Sequence, residues 1–167
     1  MAQTTNKPSA TPGFAVPYVM LGKQAATIKR EMVMAFESVL DSGRYITGPE
    51  LAAFEKEFAA YCGAPYAAGI ANGTCSLHLV MRAIGVHEGD EVITAPNSFL
   101  ASASTVALVG AKPVFAYILP DGNIDPAMIE AAITPRTRAI MPVHLTGRPA
   151  RMKEINAIAR AKNLFVL

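Results

Sequence analysis

From residue 66 onward the chain alternates short apolar runs with helical segments, and this alternation limits the fold more than any other feature. Runs at 66–71, 91–95, 113–118 and 139–143 read as strands, and 164–167 opens a fifth. Between them, apolar residues at helical spacing span 75–84, 98–109 and 152–162, with Gly85 and Gly110 closing the first two. The turn Asp121-Gly122-Asn123 leads to another helix start, where Asp125 caps and Pro126 takes the first position. Strands alternating with helices imply a parallel sheet covered on both faces. The expected fold class is α/β, with ligands at the carboxyl ends of the strands.

Two helices precede this region. The first is expected over 28–42, with Ile28, Met32, Ala35, Phe36, Val39 and Leu40 on one face, Thr27 as cap and Gly43 as stop. The second is expected over 50–62, with Leu51, Phe54, Phe58 and Tyr61 on one face and Gly63 after it. A glycine-bounded loop, Gly43 to Pro49, joins them and carries Arg44 and Tyr45. Residues 1–13 are polar and rich in Pro and Thr with no apolar h-region, so 1–16 reads as a flexible arm and not a signal peptide.

Composition removes several function classes. Fifteen basic and thirteen acidic residues leave a net charge of +2, and no basic run suggests a nucleic-acid surface. No apolar run approaches the roughly 20 residues that span a bilayer. Cys62 and Cys75 have neither metal-ligand spacing nor a disulfide framework, so a reducing, cytoplasmic setting is expected. No Ser-His-Asp order, metal cluster or Walker-type loop is present in the sequence.

The chemistry therefore rests on the loops after the strands. Ala71-Asn72-Gly73-Thr74-Cys75 joins the first run to a helix. Backbone N–H groups at a helix start and the helix dipole suit a phosphate, Gly73 lets an anion approach the backbone, and Thr74 adds a hydroxyl. A strand-to-helix turn capped by Asn72 or Thr74 that binds nothing has the same signature. Phe99, after Pro96-Asn97-Ser98, either stacks on a flat cofactor ring or is a core aromatic at a helix start. His144 ends the fourth run and either touches a ligand or is a partly buried histidine satisfied by backbone. His78 and His87 read as structural or solvated, and Arg136 and Arg138 as surface charges.

Several segments in register carry a family resemblance. They include Gly43-Arg44-Tyr45-Ile46-Thr47-Gly48-Pro49, Ala71-Asn72-Gly73-Thr74, Leu77-His78-Leu79 and Gly89-Asp90-Glu91-Val92-Ile93-Thr94. Pro96-Asn97-Ser98-Phe99, Gly110-Ala111-Lys112-Pro113-Val114-Phe115, Asn123-Ile124-Asp125-Pro126, Ile133-Thr134-Pro135-Arg136-Thr137 and Pro142-Val143-His144-Leu145 follow. Together they resemble the pyridoxal-phosphate-dependent sugar aminotransferases of the DegT/StrS type. The resemblance implies that 17–167 is the N-terminal part of the large domain of a fold-type I aminotransferase, with further strands and a small C-terminal domain beyond it. It implies a homodimer that makes an amino sugar from a keto sugar, usually nucleotide-linked, with glutamate or glutamine as donor. It places Gly73, Thr74, Cys75, Phe99 and His144 at the pyridoxal 5′-phosphate, and Tyr45 and Thr47 near the sugar.

The same resemblance puts the aspartate that protonates the pyridine nitrogen, and the Schiff-base lysine, beyond Leu167. The chain is thus expected to be a fragment, inactive alone, with no catalytic residue of its own. In the family's sheet the first strand pairs with the seventh, and the second to fifth are neighbours. Alternative readings are a non-catalytic or regulatory relative, a related sugar dehydratase in which histidine replaces the lysine, and a generic nucleotide-binding domain. The absence of Gly-x-Gly-x-x-Gly after 66–71 counts against the last.

Overall fold

The structure is a computed structural model that describes residues 19–167, so the expected arm at 1–16 lies outside the described residues. The described residues form two compact units that divide between Ala67 and Ala68.

The first unit holds α1 (Leu21–Ser42) and α2 (Pro49–Cys62). Helix α1 begins seven residues before the expected start, and Thr27 is therefore no cap. Its hydroxyl donates to the Gln24 carbonyl at 2.8 Å from inside the helix. The stop is as expected: Gly43 adopts φ 63°, and its N–H donates to the Leu40 carbonyl. Gly48 caps α2 and Pro49 opens it. Phe54 and Phe58 stack with ring centroids 5.4 Å apart, as expected of i, i+4 neighbours.

The second unit contains α3 (Gly73–Ala83), β1 (Glu91–Thr94), α4 (Ala101–Leu108), β2 (Lys112–Phe115), α5 (Pro126–Ala132), β3 (Thr137–Met141), α6 (Met152–Ala161) and β4 (Phe165–Val166). The four strands are parallel, in the order β2-β1-β3-β4. The expected adjacency of the second to fifth runs is borne out. The first run is corrected: residues 66–71 form no strand, and no described strand pairs with them. A strand needs a neighbour to take up its N–H and C=O groups.

The doubly covered sheet shows in β1, where successive side chains serve opposite faces. Val92 packs with Met81 of α3 and Val106 of α4, while Ile93 packs with Ile129 of α5 and Ile155 of α6. Every residue of β1 is buried. All four carboxyl ends lie along one edge, because the sheet is parallel. Helix α4 starts three residues later than expected, since Ser102 and Ala103 donate to the carbonyls of Phe99 and Leu100 in a turn before it.

Candidate functional site

Asn72 sets the first part of the edge. Its backbone is extended (φ −167°, ψ 170°), and its side-chain oxygen accepts from the Cys75 N–H at 2.9 Å. Its carbonyl takes the Ser76 N–H at 3.0 Å, the first bond of α3. The sequence left Asn72 and Thr74 as rival caps; the structure selects Asn72. Three consequences follow. The Cys75 amide is occupied. The Gly73 and Thr74 amides have no acceptor among the described residues. The Thr74 hydroxyl stays free at an exposed position, and nothing lies within 4 Å of where a Cβ on Gly73 would stand.

The second part follows β1. Thr94, wholly buried, donates its hydroxyl to the Met141 carbonyl at 2.9 Å and so joins the ends of β1 and β3. Phe99, five residues on, is 79% exposed. Among the described residues Phe99 therefore packs into no core. His144, three residues after β3, is exposed, and its Nδ1 accepts from the Ala150 N–H at 3.1 Å. The structure thus brings Phe99 and His144 to the ends of adjacent strands, and Gly73, Thr74 and Cys75 to the head of the helix that packs on α4. Tyr45 and Thr47 belong to the first unit. Tyr45 donates its hydroxyl to the Leu40 carbonyl at 3.3 Å, and Thr47 has φ 50°, a conformation unusual for a β-branched residue.

Two residues missed in the sequence organise this edge. Asn97 donates from Nδ2 to the Gly122 carbonyl at 3.0 Å. Asn123, only 1% exposed, reaches the loop after β3 with its side chain. Both are polar residues in turns with no local mark of burial or bonding, and their partners lie 22–26 residues away. At the opposite edge, Glu91 is buried and accepts from Thr134 Oγ1 and from Arg136 Nη2, the latter at 2.9 Å. The Thr134 hydroxyl, then Arg136, hold its carboxyl below the usual range against the opposing effect of burial. Arg136 is therefore exposed but engaged.

Residues 26–167 match the DegT/DnrJ/EryC1/StrS aminotransferase family. The chain belongs to this family. It is 48% identical over 153 residues to the UDP-2-acetamido-2-deoxy-3-oxo-D-glucuronate aminotransferase of Pseudomonas aeruginosa, across 91% of this chain and 43% of that enzyme. It is similar to S. venezuelae DesV solved in complex with a ketimine intermediate, with TM-score 0.87 and 43% identity over 90% of this chain and 41% of that one. NtdA from Bacillus subtilis, solved with bound cofactor PMP, gives TM-score 0.87 and 35% identity over 90% of this chain and 35% of that one. The DegT/DnrJ/EryC1/StrS chain thus spans about two fifths of the length of these relatives. Among its described residues no helix is long and apolar enough to cross a membrane, and no cluster of metal-ligating side chains occurs.

Proposed function

We propose that the protein to which these residues belong is a pyridoxal-phosphate-dependent aminotransferase that converts a nucleotide-linked keto sugar to an amino sugar. The observation that carries this reading is the head of α3 in a chain of this family: two unpartnered amides, a free hydroxyl and a glycine with open space above it. That donor set fits a phosphate dianion. An exposed aromatic after β1 fits the flat ring of the same cofactor. The similarity to NtdA, solved with PMP, supports the cofactor, and the UDP-linked substrate named for the P. aeruginosa relative supports the substrate class.

Bound pyridoxal phosphate supplies an electron sink through which an amino group passes from donor to acceptor. The residues of this chain bind and orient it. Gly73 and Thr74 hold the phosphate by amide and hydroxyl, and the dipole of α3 adds positive potential. Phe99 covers one face of the ring. His144, with Nδ1 occupied by the Ala150 amide, carries its proton on Nε2 when neutral and presents a donor at the same edge. Tyr45 and Thr47 contact the sugar. Glutamate or glutamine is the donor, and a homodimer in the cytoplasm is the working form; free Cys62 and Cys75 suit a reducing compartment.

The half-reaction tests this without knowledge of the sugar. The purified protein, loaded with pyridoxal phosphate and mixed with L-glutamate or L-glutamine, should release the corresponding 2-oxo acid and leave pyridoxamine phosphate. A protein that binds the cofactor but converts neither donor would be a non-catalytic relative. One that binds no cofactor would remove the whole reading.

A further inference from the structure

The turn between β2 and α5 touches the loops on both sides of it. Asn123 lies in this turn, yet it is 1% exposed. A buried amide needs partners. Its Oδ1 accepts from the Leu145 N–H at 3.4 Å, and its Nδ2 donates to the carbonyls of Arg148 at 3.4 Å and Pro149 at 3.5 Å. These bonds are long and all made to backbone, so they define a path for the loop more than they add cohesion. The Asn123 backbone is held from within its own turn: its N–H donates to Asp121 Oδ1 at 3.0 Å, and its carbonyl takes the Leu119 N–H at 2.8 Å.

Gly122 makes two more connections. Its carbonyl accepts from Asn97 Nδ2 at 3.0 Å. Its φ is 85°, and a Cβ there would stand 3.0 Å from Leu145 Cδ2, so the turn and Leu145 meet at the one position where no side chain intervenes. Asn97 lies two residues before Phe99, and Leu145 is next to His144. The loop after β3 needs such support, since Thr146 at φ 53° and Gly147 at φ 85° are consecutive left-handed residues.

We propose that Asn123 and Asn97 are positioning residues: through the Asp121–Asn123 turn they set the loops that carry Phe99 and His144 against the cofactor. This rests on the cofactor reading above. Phe99 and His144 then depend on a turn outside their own loops.

The experiment uses the protein to which this chain belongs, in apo and pyridoxal-phosphate-loaded forms. In the apoprotein, Asn123→Ala should speed amide exchange at Leu145 about tenfold, because its acceptor is gone. In the loaded protein, Asn97→Ala, at an exposed position that does not threaten folding, should weaken cofactor affinity about fivefold and change the visible circular dichroism of the bound cofactor. Asn97→Gln, which keeps the donor, should restore both. Unchanged exchange at Leu145 in folded Asn123→Ala overturns the brace. Loosened exchange with cofactor dichroism and affinity unchanged in both variants overturns the positioning role. A wild-type protein that fails to bind pyridoxal phosphate overturns the functional reading and the positioning role with it, and the apoprotein exchange still decides the brace by itself.

Discussion

Arg136 places Nη2 2.9 Å from Glu91 Oε1, so an exposed guanidinium closes off a carboxylate at the buried start of β1. Lys112 at the start of β2 stands 3.9 Å from the same oxygen, and Thr134 donates to the other. One acid thus ties the amino ends of β1 and β2 to the segment leading into β3.

The pH dependence follows from that arrangement. The Glu91 carboxyl is held below its ordinary value of 4.5 in the folded protein. Its contribution is therefore present above that value and is lost as pH falls through the lower folded pKa. Glu91→Gln should lower the midpoint of thermal unfolding by about 2–4 °C near pH 7. The gap to wild type should narrow in acid below about pH 4.5. Calorimetry from pH 7 to pH 3 reads both; a gap that stays constant would mean the carboxylate charge contributes nothing.

Thr74→Val removes the hydroxyl at the head of α3 and keeps its shape. A hydrogen bond to a charged acceptor contributes about 1.5–3 kcal/mol, so pyridoxal phosphate affinity should drop about ten- to a hundredfold. Titration followed by cofactor absorbance measures it. Unaltered affinity would remove Thr74 from the phosphate seat.

Phe99→Ala should have a smaller effect. Offset stacking is worth roughly 0.5–1.5 kcal/mol beyond area burial, which sets a two- to tenfold loss of affinity with slower turnover. Because Phe99 is 79% exposed in this chain, thermal stability without cofactor should hardly move. A large drop in apoprotein stability would instead assign Phe99 to packing.

Asn72→Asp separates capping from binding. Asp caps a helix as well as Asn and its charge suits the dipole, so the unfolding midpoint should hold or rise. The same charge faces the phosphate, and repulsion of about 1 kcal/mol at 4 Å in water should weaken cofactor affinity roughly fivefold. Affinity that holds or rises would mean that the phosphate does not sit at this helix.

The sheet and its helices were legible because their signals are local. Asp125-Pro126 opens α5 as its chemistry dictates, with Asp125 Oδ1 taking the Ala127 N–H at 2.9 Å. The alternation of Val92 and Ile93 between two cores needs no distant information either. What escaped depends on partners far along the chain. Residues 66–71 have strand composition but no described strand beside them. The start of α1 at Leu21 escaped because Met20 offers no capping side chain and Gly22 interrupts the first turn, although Leu21 and Ala25 continue the spacing of Ile28 and Met32. Arg138 is an extra residue opposite the Glu91–Val92 step, and a register shift of this kind has no local mark. At the site, Thr74 and Phe99 were readable as types in a pattern. Which cap wins at Asn72, and that Asn123 is buried, follow from tertiary geometry.

The two edges of the sheet are fastened by different chemistry. The amino edge hangs on a carboxylate, whereas the tethers from Asn97 and Asn123 at the carboxyl edge are primary amides, which neither gain nor lose a proton in ordinary buffers. Acid should therefore loosen the sheet from the end remote from Phe99 and His144. Those two tethers would release their loops only when the surrounding fold gives way.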